Sequence, residues 1–119
     1  MMLTSRFTTS TSTSTTMILI IVMYPAGPED SFNRGYYLET HIPLVKERWS
    51  SMGLESVQLL RGIASGDGRE PVYQVIALLS FRSQQEFQKA VQAHGQEIFA
   101  DIPKFTSVQP VVQINEALG

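Results

Sequence analysis

The sequence predicts an α+β domain of ferredoxin-like βαββαβ order, a four-stranded antiparallel sheet with two helices on one face. Three observations carry that prediction. Apolar runs of strand length and two stretches of helical period follow one another as strand, helix, strand, strand, helix, strand. The 119 residues are enough for one compact domain and too few for two. A hydrophobic share of 43% suits a packed core and argues against disorder.

Residues 1–16 stand apart. Thr8 to Thr16 contains only Ser and Thr, and the first acidic residue is Glu29. Such a tract has no apolar period and cannot bury a core, so a disordered Ser/Thr-rich extension is expected over 1–16, with the folded domain at 17–119. The tract reads as an extension from an upstream start codon or a cloning remnant, with Met17 beginning the functional domain. An organellar transit peptide and a secretory signal are the other readings. A single arginine, Arg6, is thin support for the first, and Tyr24-Pro25 is no small-residue cleavage site for the second.

Met17–Tyr24 is apolar at every position and β-branched in its middle, which predicts a strand covered on both faces. Pro25-Ala26-Gly27-Pro28 ends it. Asp30 or Ser31 is expected to cap a helix over roughly 32–51, whose apolar stripe is Leu38, Ile42, Val45, Trp49 and Met52. Pro43 lies inside that helix, where it lacks a donor and clashes with the Glu39 carbonyl, so a kink or break is expected there. Gly53 ends the helix.

Leu54–Ala64 reads as the second strand and Val72–Phe81 as the third, joined through the turn Ser65-Gly66-Asp67-Gly68-Arg69. Ser83-Gln84-Gln85-Glu86 is a capping box for a second helix with Phe87, Ala90, Val91, His94 and Ile98 on one face. Val108–Glu116 alternates as a fourth strand, and Pro110 marks it as an edge or a bulge.

With both helices on one face the other sheet face is bare, yet the first and third strands are apolar on both sides. That predicts a homodimer through the open sheet face, the two sheets closing as a dimeric α/β barrel. Net charge is 9 − 11 = −2, which offers no basic footprint for nucleic acid and no polybasic surface for membrane lipid. No apolar run approaches the ~20 residues of a membrane helix. Cysteine is absent, which excludes disulfides and thiolate chemistry and fits the expectation of a cytoplasmic protein. No nucleophile elbow and no phosphate-cradling glycine loop is present.

The segments Met23-Tyr24-Pro25, Phe32-Asn33-x-x-Tyr36-Tyr37-x-x-x-His41-x-Pro43-Leu44, Ala100-Asp101-Ile102-Pro103-x-Phe105-Thr106 and Pro110-Val111-x-Gln113-Ile114 resemble the EthD family. The resemblance spans roughly residues 17–116, and Asn33 stands where that family often has an aspartate. It implies a dimeric α+β barrel. Founding members are associated with ether-degradation operons. Related barrels include cofactor-free monooxygenases, lactone isomerases, and polyketide cyclases or decarboxylases, with a pocket between helices and sheet where a histidine and tyrosines do acid–base work. The resemblance therefore implies a small apolar, oxygen-bearing ligand and no cofactor.

His41 lies at the border of the apolar stripe one turn after Tyr37, so an imidazole and a phenol are expected to share a pocket. Both are candidate catalytic residues: His41 to move a proton, Tyr37 to hold an oxygen. The plainer alternative is that His41 bonds backbone freed by Pro43. Tyr36, about 100° round the helix from Tyr37, reads as packing or a dimer contact. Phe32, Trp49 and Tyr73 are candidate pocket residues, each also explicable as packing. Arg61 among apolar neighbours is a candidate for an anionic substrate group or for a pair with Glu55 or Glu116. His94 is expected on a helix face and Asp101 in a turn or cap. No close-spaced ligand pair points to a metal.

Overall fold

The computed structural model describes residues 16–118. Apart from Thr16, the predicted 1–16 extension lies outside them. Four strands, β1 (Ile18–Pro25), β2 (Leu54–Arg61), β3 (Tyr73–Phe81) and β4 (Val111–Glu116), form one sheet in the order β2-β3-β1-β4. Every neighbouring pair is antiparallel. This is the ferredoxin-like arrangement that the order of elements predicts. Among the described residues no helix is long and apolar enough to cross a membrane.

The all-apolar β1 takes a central position, where both faces need cover. Ile18, Ile20 and Tyr24 turn toward the helices and are buried, in register with Phe81, Leu79 and Val75 of β3. Leu19, Ile21 and Met23 point to the other face together with Ile76 and Leu78, and these are only half-buried. β4 is an edge strand. It starts one residue after Pro110, because proline has no N–H to give the ladder, so Val108 and Pro110 lie outside the strand predicted for them.

The first helical segment is not one regular helix. It runs as α1 (Arg34–Tyr36), a π-helical turn (Tyr37–His41), α2 (Ile42–Trp49) and a 3₁₀ turn (Ser50–Met52). The predicted interruption at Pro43 thus takes the form of a π turn just before it, closed by the Ile42 N–H donating to the Tyr37 carbonyl. The wider turn accommodates a proline that has no donor of its own. It also rotates the preceding residues. Tyr37 comes beneath Ile42 and is 2% exposed, whereas Leu38, predicted to be on the buried stripe, is turned out to 54%. The helix cap is Asn33, whose side chain accepts from the Tyr36 N–H at 3.1 Å, rather than Asp30 or Ser31. Gly53 ends the segment at φ 106°, the left-handed stop that glycine takes without strain.

The second helix, α3 (Gln84–Asp101), begins on the predicted capping box, with Ser83 Oγ accepting from the Glu86 N–H at 3.1 Å. Its buried face is Phe87, Ala90, Gly95, Ile98 and Asp101, and His94 is half-buried beside it. Between helices and sheet the core divides into two clusters. One gathers Trp49, Phe81, Phe87 and aliphatic neighbours, and the other Tyr24, Tyr37, Ile42, Val75 and Phe105.

Candidate functional site

Two segments far apart in sequence build the site. The loop before α1 is clamped to the chain after α3: the Asn33 N–H donates to the Phe105 carbonyl at 2.7 Å, and Thr106 Oγ1 donates to the Ser31 carbonyl at 2.6 Å. Phe32 and Thr106 form a β-bridge between them. Pro103, in the 3₁₀ turn Ile102–Lys104, follows the end of α3. The last residue of that helix, Asp101, is thereby brought against the π turn.

Asp101 is buried and accepts two hydrogen bonds. Tyr36 Oη donates to its Oδ1 at 2.8 Å, and His41 Nδ1 lies 2.9 Å from its Oδ2. Burial by itself raises the Asp101 carboxyl. The bonds from His41 and Tyr36, with the charge of Lys104 at 3.7 Å, outweigh it and hold the carboxyl below its ordinary range. Burial pushes the His41 imidazole down, against the pull of Asp101. The pair is therefore a carboxylate facing a neutral imidazole. A carboxylate only accepts, so Nδ1 carries the proton and Nε2 is left with its lone pair. Tyr36 Oη is held up, first by its bond to Asp101 and then by desolvation, so it remains a donor.

Two neighbouring aromatic rings pack on the imidazole. The Tyr37 ring stacks on it at 5.7 Å and 16°, and the Phe105 ring meets it at 4.6 Å. Tyr37 in turn packs edge-on against Tyr24 at 5.9 Å and against Phe32 at 5.0 Å. Burial pushes both phenols, Tyr24 and Tyr37, well above their ordinary value of 10.0. Among the described residues the hydrogen bonds at this site end on Tyr36, His41 and Asp101, and neither of those two phenols takes part.

His41, Tyr37, Tyr24 and Trp49 all line one cavity between the helices and the sheet, otherwise walled by aliphatic side chains and Phe87. About 50 Å³ of it is open to water-sized spheres. Half-exposed Phe99 of α3 and Val112 of β4 are also part of its lining.

The structure thus brings together His41, Tyr37 and Trp49 of the predicted site residues. The indole N–H of Trp49 donates to the Ala90 carbonyl at 2.9 Å, so this residue presents apolar surface. Phe32 stands behind Tyr37 in the aromatic block, off the cavity wall. Tyr73, the first residue of β3, does not line the cavity either. Arg61, the last residue of β2, is exposed, and neither Glu55 nor Glu116 pairs with it. His41 bonds a carboxylate and not the backbone near Pro43.

Asp101, expected in a turn or cap, and Tyr36, expected as packing or a dimer contact, join the site in other roles, and Tyr24 joins it from a strand with no role foreseen for its ring. Asp101 carried a usable signal. An acid in the last turn of a helix sits at the negative end of the macrodipole, and that placement calls for a compensating donor. Among the described residues no group of three or more His, Asp or Glu side chains is arranged to hold a metal ion.

No protein-family model and no curated protein matches the chain. Solved structures do. An EthD-like protein from Ralstonia eutropha JMP134 is 33% identical, with 87% of this chain and 94% of that one covered and a TM-score of 0.78. An ethyl tert-butyl ether (EthD) family protein from Bacillus halodurans C-125 is 20% identical over 86% of this chain and 99% of the other, with a TM-score of 0.72. A candidate antibiotic biosynthesis monooxygenase from Bordetella bronchiseptica shares the fold at 17% identity and a TM-score of 0.59, covering 87% of this chain and 99% of its own.

Proposed function

The chain belongs to the EthD family, and on that premise we propose that it is a small homodimeric enzyme that works without a cofactor on an apolar, oxygen-bearing molecule such as a lactone, polyketide or aromatic catabolite. The reaction is of isomerase, cyclase/decarboxylase or monooxygenase type. The observation that supports it best is the Tyr36–Asp101–His41 chain, which ends on His41 in the wall of an apolar cavity.

In this reading His41 Nε2 is the general base. It takes a proton from carbon beside a substrate carbonyl, and the electron pair moves onto the carbonyl oxygen as an enolate. Tyr37, kept protonated by its burial, donates to that oxygen. Asp101 is the positioning residue. It holds the proton on Nδ1 and stabilises the imidazolium that forms. Return of the proton to another carbon completes an isomerisation, and capture of the enolate carbon by an internal carbonyl completes a cyclisation. Trp49 and the aliphatic walls exclude water and bind the apolar body of the ligand.

The dimer is supported by the open sheet face. Leu19, Ile21, Met23, Ile76 and Leu78 form a contiguous apolar surface there, continued by exposed Val111 on β4. A second copy related by a two-fold axis would cover it.

A second reading is a non-catalytic dimeric small-molecule-binding or stress-associated protein of the same fold. It draws on the small free volume of the cavity, about 50 Å³. Native mass spectrometry of freshly purified protein tests both. The enzyme reading predicts a dimer, and with a cognate substrate His41→Ala abolishes turnover while the dimer stays folded. A monomer at micromolar concentration contradicts the dimer. Unchanged turnover in His41→Ala removes His41 from the mechanism.

A further inference from the structure

Two guanidinium groups stand outside the cavity and outside every ion pair among the described residues. Arg48 pairs with Glu97 and Glu47, Arg69 with Asp67, and Arg82 with Glu86 and Glu55. Among the described residues no carboxylate lies within ion-pair distance of Arg34 or Arg61, although Glu29 lines a groove with both. Arg34 opens α1 and Arg61 closes β2, and both line the same two adjoining grooves on the surface. One groove is apolar, walled by Tyr37, Leu38, Leu59, Leu60 and Val75, with about 220 Å³ of free space. The other is polar, includes Glu29 and Gln74, and offers about 210 Å³. Leu38 is the residue that the π turn forces outward, so the same local distortion that buries Tyr37 also supplies an apolar floor beside two free cations.

We infer that this double groove binds a singly charged amphiphilic carboxylate. Its alkyl or aryl body lies on Leu38 and Leu59, and its carboxylate sits between Arg34 and Arg61. Planar guanidinium groups match a carboxylate with paired N–H donors, which a point cation does not. The apolar groove alone accommodates a chain but gives no reason for two uncompensated charges at its end. The polar groove alone accommodates an anion but gives no reason for the exposed leucines. Glu29, which lines the same polar groove, repels a second negative charge, which favours a carboxylate over a phosphate dianion. This inference does not depend on the chemistry assigned to His41, although Tyr37 forms a wall of both sites.

Calorimetric titration of the full chain with octanoate, octanol and octyl phosphate at low salt tests it. Octanoate is expected to bind saturably at one site per chain, about tenfold or more tighter than octanol, the margin that charge-assisted hydrogen bonds provide. Octyl phosphate is expected to bind no more tightly than octanoate. In an Arg34→Gln/Arg61→Gln variant octanoate falls to the level of octanol, while Arg82→Gln, at an ion-paired arginine outside both grooves, leaves octanoate binding unchanged. Both arginines are exposed, so the double variant is expected to keep the wild-type thermal transition, and Arg61→Gln alone gives an intermediate loss. Octanoate that binds the double variant as it binds wild type, or fails to saturate wild type at millimolar concentration, overturns the inference. Tighter binding of octyl phosphate overturns the choice of a carboxylate.

Discussion

The two halves of the core solve the same packing problem with different chemistry. Around Trp49, Phe81 and Phe87, rings meet edge-on at 5.6, 6.2 and 5.1 Å, and the indole N–H donates to a backbone carbonyl. Around Tyr24, Tyr37 and Phe105 the rings pack at similar distances, but this half also buries an imidazole and a carboxylate. The first half is apolar throughout and gives the cavity only apolar wall, through Trp49, Phe87 and aliphatic neighbours. The second accepts desolvation of Asp101 and His41, and its imidazole lines the cavity. That difference separates a structural cluster from a candidate site more cleanly than residue type does, since both halves are aromatic.

The largest expected effect lies in the first half. Phe81 has no exposed surface, so Phe81→Ala should lower the unfolding free energy by about 3–5 kcal/mol in urea titration. The His41 resonances should hold their positions below the transition. If they move as far as those of Trp49, the two halves are one unit.

Asp101→Asn comes next. An amide has one acceptor oxygen, so it cannot accept from both Tyr36 and His41; one of the two bonds is lost or reversed, at a cost of about 1–3 kcal/mol. Full stability in that variant would show that the carboxylate is not the hub of the site.

Acid sharpens the contrast further. The folded His41 is harder to protonate than the unfolded one, so below its ordinary value of 6.5 the unfolded chain binds more protons and stability falls with pH. Asp101, whose folded value is lowered, adds a second loss as pH falls through and below its ordinary 3.8. The melting temperature should drop from pH 7 to pH 5 in wild type, and His41→Asn should flatten that part of the curve. An equal slope in the variant places the titration elsewhere.

Tyr37→Phe is the smallest change. Among the described residues the Tyr37 hydroxyl has no partner, so its removal should alter stability by less than about 1 kcal/mol, in either direction, while weakening any oxygen-bearing ligand. A larger destabilisation would mean that the hydroxyl is structural.

Much of the fold was legible in the sequence because period and punctuation agree. The continuous apolarity of Met17–Tyr24, the turn residues at Ser65–Arg69 and the capping box at Ser83–Glu86 each specify a local structure without outside help. The site was legible only in part. His41 and Tyr37 stand four apart on one segment and are visible to a helical wheel. Asp101 lies 60 residues from His41, and although its place in the last turn of a helix calls for a donor, nothing local says that the donor is His41. Leu38 is turned out of its expected place on the buried stripe because a wheel drawn at a constant 100° cannot hold a π turn. Tyr36 was read as packing or a dimer contact because its bond to Asp101 is a long-range contact that no helical wheel displays.

The most direct test of the account is the tautomer of His41, read from long-range nitrogen–proton correlation spectra of the isotopically labelled protein at pH 7. The account predicts a neutral ring with the proton on Nδ1 and an unprotonated Nε2, a pattern that Asp101→Asn disturbs. A proton resident on Nε2, or a ring already cationic at that pH, would contradict it.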